Sequence, residues 1–344
     1  MAVRAAGTFP GENFAEALNV IVGEFEPHLF YPTLSNRGPA ASATAQVSAL
    51  FDEIHWSSGL RTLEMHMRTS HFSHSIEDTW KRDWDTFLAS LDDHHVGEGP
   101  LMVCFPGPYA IASTVELPNG HWAVTDPGAV RHLVSELSGA VDRLSALIKK
   151  ETQRTPIVVL DESAAGATFA GQQKGAHKFE EIPPPNPELV VEQWESIAQA
   201  GSYSGGDDNC LIVRFPASHC DWTTYSTALD SVLVSQEKLR VSLNVEGFSQ
   251  WPTRAIDCLG ERLDAWGRAL ELSAIAGGAV ATVAERAHSL ALTLQQLGVS
   301  PHVGAIPGLH STRDLSAKTV SDAQLHLREL GQYPEIIVNE WNAN

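Results

Sequence analysis

The segment Ile157-Val158-Val159-Leu160 holds no polar residue and ends abruptly in Asp161-Glu162-Ser163. A strand that is apolar at every position has to be covered on both faces, and such strands belong to parallel sheets flanked by helices. Cys210-Leu211-Ile212-Val213 repeats the pattern. These two runs restrict the chain to α/β architectures before any other feature is weighed.

The rest of the chain alternates as that class requires. Strand candidates lie at residues 3–8, 60–67, 101–105, 157–160, 210–215, 240–245, 270–275 and 302–306. Helical patterns separate them. Asn13 precedes a helix over 13–23, and residues 39–56 read as a helix with Val47, Leu50, Phe51 and Ile54 on one face. In 75–91, Ile76, Trp80, Trp84, Phe87 and Leu91 recur three or four apart, which assigns both tryptophans to the core. Asp126-Pro127 reads as an N-cap followed by proline at the first helical position, opening a helix to residue 150. Further helices are expected at 187–200, after Asp221, and at 253–263, 280–297 and 317–330.

Eight strands with helices between them predict a (β/α)8 TIM barrel. A doubly wound sheet would alternate in the same way, but no Gly-x-Gly-x-x-Gly follows the first strand. Residues 1–344 read as one domain, with the Gly-, Ala- and Pro-rich stretch 163–187 as a long loop over the barrel mouth.

Composition narrows the partners. With 42 acids against 23 Lys plus Arg, the formal net charge of -19 repels a phosphate backbone and argues against nucleic acid. No apolar run reaches the roughly 18 residues of a membrane span, and residues 1–20 hold no apolar signal-type core. The four cysteines, Cys104, Cys210, Cys220 and Cys258, show no pairing pattern and fit a reducing, cytoplasmic setting.

In a barrel the carboxyl ends of all strands face one mouth. Gly7 and Thr8 end the first strand there, and Asp161-Glu162 ends another. Because side chains alternate along a strand, only one of these two acids should point inward. Arg214 is expected at the mouth, where its planar fork suits a carboxylate or phosphate. Trp222 would either stack a flat ring or pack beneath its loop. Cys104 and Cys210 read as small core residues. His71 and His74 could bind a metal but read better as part of a polar loop, as does Asp92-Asp93-His94-His95.

Several of these segments, taken in order, resemble the cobalamin-independent methionine synthase family, notably its short, single-barrel actinobacterial forms. That family lies in the wider barrel superfamily that includes uroporphyrinogen decarboxylase. The likeness rests on Gly7-Thr8-Phe9-Pro10-Gly11, Leu34-Ser35-Asn36-Arg37-Gly38, Gly107-Pro108, the stretch from Glu116 to His121 followed by Asp126-Pro127, and Asp161-Glu162. It spans about residues 3–330. It implies methyl transfer from a folate to homocysteine or a related small thiol, with zinc activating the thiol. It also implies that Gly7, Thr8 and Asp161 contact an amino-acid substrate, with Glu162 close by. A partner protein could supply the methyl group.

The resemblance breaks at the metal. Arg214 and Pro216 stand where the family has the His and Cys of His-x-Cys, and Pro307 stands where it has a later Cys. Neither residue type ligates zinc. Relocated ligands would have to come from His219, Cys220, Glu246 and His310, with His310 also a candidate substrate contact. Three functions therefore stay open. The first is a methionine synthase-like thiol methyltransferase or a diverged paralogue. The second is a metal-free lyase or decarboxylase that uses Arg214, Asp161 and Glu162 on a carboxylated substrate. The third is a non-catalytic barrel that binds a metabolite or partner.

Overall fold

A computed structural model describes residues 3–5, 7–26, 28–94, 96–177, 179–201, 210–216, 222–233, 238–244, 253–266, 269–275, 282–298, 308–311, 314–316 and 318–343. Ten strands occur among them: β1 (Val3–Arg4), β2 (Leu29–Tyr31), β3 (His55–Ser58), β4 (Leu63–His66), β5 (Pro100–Pro106), β6 (Thr155–Asp161), β7 (Leu211–Phe215), β8 (Leu239–Asn244), β9 (Leu270–Ile275) and β10 (Leu309–Ser311). Eight of them form one parallel sheet in the order β1-β10-β9-β8-β7-β6-β5-β2. A parallel bridge between Thr8 and Thr33, just beyond β1 and β2, joins the two ends of that order. Two backbone bonds hold it, Phe9 N–H to Thr33 O at 3.0 Å and Thr33 N–H to Gly7 O at 2.9 Å. The eight strands thus close into a (β/α)8 barrel, as the sequence predicts.

The two apolar runs sit where that reading requires. Ile157, Val158, Val159 and Leu160 are all fully buried in β6, as are Leu211, Ile212 and Val213 in β7. Helices cover the sheet from outside. Phe14–Phe25 follows β1, and its Asn13 cap accepts from Glu16 N–H. His71–Asp93 starts at a Ser70–Ser73 capping box and buries Ile76, Trp80, Trp84 and Phe87. Pro127–Thr152 is capped by Asp126. Pro187–Ala200, Trp222–Leu233, Thr253–Trp266, Val283–Gln296 and Val320–Ala343 complete the ring. No helix among the described residues is long and apolar enough to cross a membrane.

Two expectations need correction. Residues 39–56 are not one helix. A single turn-and-a-half, Ala43–Val47, is flanked by 3-10 turns, and the backbone extends at Phe51 to enter β3. The apolar spacing marked burial correctly, since Val47, Phe51 and Ile54 are all buried, but two successive elements share that face. Residues 60–67 do not form a barrel strand. Leu63–His66 pairs antiparallel with β3 as a separate hairpin, and its alternating burial is that of a one-sided strand. The second barrel strand is the three-residue β2, too short to show a period. The last barrel strand is β10, and residues 302–306 lie outside the described residues, as does Asp221.

Gly7 lets the barrel close at its mouth. Its φ is +92°, a region L side chains rarely adopt, and a Cβ there would lie 2.6 Å from Cys104 Cβ. Gly7→Ala should therefore destabilise the protein by roughly 2–4 kcal/mol. Exposed Gly23, inside a helix with open space around it, is the control, and Gly23→Ala should stabilise by about 0.5–1 kcal/mol. Urea unfolding midpoints of the two variants should move in opposite directions.

Candidate functional site at the barrel mouth

The carboxyl ends of the strands surround a cavity of about 900 Å³. Gly7 and Thr8 after β1, Thr33 after β2, Cys104 on β5, Asp161 on β6, Arg214 on β7, Asn244 on β8 and Asp314 after β10 all contribute to its wall. The β3–β4 turn, residues 58–63, and residues 39–44 close one side. Gly7, Thr8, Asp161 and Arg214, singled out from sequence across more than 200 positions, are therefore brought together.

Arg214 is the chemical centre of this wall. Its guanidinium is 4% exposed and donates from Nη1 to Asp161 Oδ2 at 2.7 Å. Asp161 and Arg214 are register partners in neighbouring parallel strands, so the pair is fixed by backbone pairing. The other Asp161 oxygen accepts from Ser163 N–H at 2.9 Å. On Arg214, Nε and Nη2 are shielded from solvent and find no oxygen acceptor, and the Cys104 thiol interacts with the guanidinium. Together Nε and Nη2 form one edge of the guanidinium, the side-on fork that grips a planar oxyanion with two parallel bonds. Cys104 lies beside it. Sequence reasoning placed Cys104 in the core, whereas it lines the cavity, with burial pushing its thiol up to about 12. It is therefore a neutral wall group and not a nucleophile.

Opposite, Asp314 accepts from Ser316 N–H at 2.9 Å. Burial pushes the Asp314 carboxyl up, but hydrogen bonds from the Ser316 backbone and side chain and from Thr8 outweigh it and hold it below its ordinary value. Thr8 Oγ1 also accepts from Leu315 N–H. The turn after β1 and the segment after β10 are thus tied together at the rim.

Glu162 is removed from the catalytic set. Alternation turns it away from the mouth, and it is fully buried behind β6. It accepts from Tyr109 and Ala110 N–H at the start of helix Pro108–Thr114, and from Trp194 Nε1 at 3.1 Å. Gly107 makes the room, since a Cβ there would lie 2.3 Å from Glu162 Cδ. Trp222 is also corrected as a substrate contact. It is buried against Phe215 and Trp266 and does not reach the cavity. Of the loop 163–187, Ser163 and Ala164 line the cavity. Its later part docks beside the mouth through His121–Glu180 at 2.6 Å, Trp122 Nε1 to Lys174 O and Gln173 to Ser113 O.

His310 lies inside the barrel, not in the cavity wall. Its Nε2 donates to Glu271, which also receives Arg4 at 3.1 and 3.2 Å and Arg240 at 3.3 Å. Burial pushes His310 down to about 4 against the pull of Glu271, so the imidazole is neutral at pH 7. Glu271 is itself held well below its ordinary value, because Arg4 and His310 outweigh its burial.

The zinc set implied by the resemblance does not fit the described residues. Arg214 fills the first ligand position with a cation, and Pro216 offers no donor at the second. Pro307, His219, Cys220 and Glu246 lie outside the described residues. His310 has Nδ1 without a partner, but a single donor does not make a site. Among the described residues, the group of three metal-capable side chains is Glu53, His132 and Glu136, and none of them lines the cavity. His71 and His74 are exposed at the start of their helix, away from the cavity wall.

Sequence reasoning missed Asn244, Asp314 and the β3–β4 turn. Asn244 is the last residue of β8 and lay inside the expected strand 240–245, Asp314 follows β10 beyond the strand expected at 302–306, and the hairpin was read as part of the barrel. No family model matches the chain, and no curated protein matches it. Among solved structures it is similar to a D-psicose 3-epimerase with D-tagatose from Clostridium cellulolyticum. The identity is 12% and the TM-score 0.36, over 76% of this chain and 81% of that one.

Glu162 gives the stability of the fold a pH signature. Burial pushes its carboxyl up to about 7, opposed by the bonds from Trp194, Ala110 and Tyr109 and assisted by Asp161. The folded protein therefore holds this proton more tightly than the unfolded chain. The stability it contributes is complete below the ordinary carboxylate range and is lost as pH rises through about 7. Urea unfolding between pH 5 and pH 8 should show that decline, and Glu162→Gln should flatten it.

Proposed function

We propose that this barrel takes a small carboxylate-bearing metabolite at its mouth, without a metal, and that Arg214 anchors the carboxylate. The observation that carries this reading is that Arg214 lines the cavity while its Nε and Nη2, shielded from solvent, have no oxygen acceptor. A buried donor left unsatisfied costs about 1–3 kcal/mol, more when charged. A ligand that fills both positions recovers that cost on binding. Asp161 holds the far side of the guanidinium and sets the direction of its free edge. Thr8, Asn244 and Asp314 also line the cavity.

The reaction class we assign is that of a metal-free lyase or decarboxylase on a carboxylated substrate, in a barrel diverged from methionine synthase-like ancestry. A second reading, thiol methyl transfer from a folate to homocysteine, is favoured by Gly7, Thr8 and Asp161 meeting on one wall. It ranks lower because zinc supplies the thiolate in that chemistry, and the described donors do not suit zinc. The third reading, a barrel with no small-molecule ligand, leaves the free Arg214 edge without a purpose.

Calorimetric titration with succinate and citrate tests the proposal. Arg214→Ala should weaken binding on the order of a hundredfold, and Arg214→Lys by about tenfold, because an ammonium lacks the planar fork. Homocysteine should give no thermal shift that depends on added zinc. A zinc-dependent homocysteine shift, with carboxylates inert, would instead establish the methyl-transfer reading.

A further inference from the structure

The cavity is divided chemically, and the division follows the strand order. The side formed by β6, β7 and β8 presents Asp161, Arg214 and Asn244, and the segment after β10 places Asp314 across the mouth from Arg214. The side formed by β5 and the hairpin inserted before it presents the exposed Leu60 beside the buried Leu63 and Val115, with hydroxyls from Ser58, Thr62 and Thr114. Among the described residues on that side, the charged group is Arg61, and its charge is already matched. Arg61 donates to the buried carboxylate of Glu116 and to Gly120 O at 2.6 Å, and its guanidinium lies 4.4 Å from the Trp122 ring centre.

This second side is a formed wall. The hairpin turn is closed by Gly59 N–H to Thr62 O at 2.8 Å, and Glu116 accepts from Arg61 N–H at 3.3 Å. A Cβ on Gly59 would lie 2.7 Å from both Glu116 and Thr62 O, so the turn sits close against its support. Leu60 stands at the tip, 95% exposed while lining the cavity. At about 900 Å³ the space is near the upper end for drug-sized ligands, which is about 1,000 Å³. A short dicarboxylate bound at Arg214 would leave most of this space, including the apolar half, filled with water.

We infer that the ligand is an amphipathic monocarboxylate, with its carboxylate on the free edge of Arg214 and an alkyl or aryl body against the β3–β4 hairpin. This rests on the reading that Arg214 takes a carboxylate, and it specifies what that carboxylate is attached to. The body would cover the exposed Leu60, and apolar burial of two or more methylene equivalents raises affinity about tenfold. A second carboxylate on the ligand would be placed in the uncharged half, where no described cation is free to meet it.

The test is calorimetric titration of the full chain with 4-phenylbutyrate, butyrate and succinate. 4-Phenylbutyrate should bind about tenfold or more tightly than the other two, and Arg214→Ala should abolish that binding. Leu60→Ser changes an exposed side chain and should not disturb folding. With Leu63→Ala as a second variant, it should weaken 4-phenylbutyrate a few-fold and leave butyrate unchanged. If succinate or butyrate binds as tightly as 4-phenylbutyrate, still dependent on Arg214, the inference falls and the carboxylate reading stands. If Leu60→Ser and Leu63→Ala both leave 4-phenylbutyrate untouched, the inference falls as well. If no carboxylate binds in an Arg214-dependent way, both fall together.

Discussion

A guanidinium buried as deeply as Arg214 has to be met by negative charge, and the way it is met organises the mouth of this barrel. Removing such a charge from water costs several kcal/mol unless partners restore it. Here one carboxylate oxygen does so, from the register partner on the neighbouring strand. The parallel pairing of β6 and β7 therefore sets the ion pair, not a flexible loop. Gly7 continues the arrangement on the other side. By leaving out a side chain beside Cys104 it allows the end of β1 to approach β5. The bridge from Thr8 to Thr33 then closes the barrel over the same cavity. Closure of the fold and assembly of the site depend on the same few residues.

The interior below the mouth is charged where barrels are more often filled by branched apolar side chains. Glu271 binds Arg4 and Arg240 and receives His310, linking β8, β9, β10 and β1. Gly308 leaves the space this needs, since a Cβ there would lie 2.7 Å from Glu271 Cδ. Counting the described strand residues inside the barrel, three guanidinium groups, Arg4, Arg214 and Arg240, face two carboxylates, Asp161 and Glu271. The chain as a whole carries -19.

Much of this was legible from the residues, and the exceptions have physical causes. Apolar runs such as Ile157–Leu160 report two-sided burial directly, so β6 and β7 and the acids and arginine at their ends were found. The three-residue β2 carries too few positions for any period. The segment 39–56 carries a helical spacing of apolar residues across a short helix, a 3-10 turn and an extended entry to a strand, because all three bury the same face. Alternation predicted that only one of Asp161 and Glu162 would face inward. It did not predict that the other would close the start of a neighbouring helix, since that depends on Gly107, more than fifty positions away. Asp314 enters the site through the rim contact with Thr8, a tertiary event with no local signature.

The sequence resemblance fails at the very position that the structure makes central. Where zinc-binding barrels of that kind hold a histidine, Arg214 supplies a fixed positive charge at the same strand end. Both carry positive charge, but they select differently. Zinc accepts a thiolate through a directional bond and lowers its pKa. A guanidinium cannot form that bond, and offers instead a flat pair of donors matched to two oxygens in a plane. Asp161 fits either state, because a carboxylate beside a cation is stabilised whichever cation it is. The residues described at this strand end therefore offer N–H donors and a carboxylate, and no set of zinc ligands.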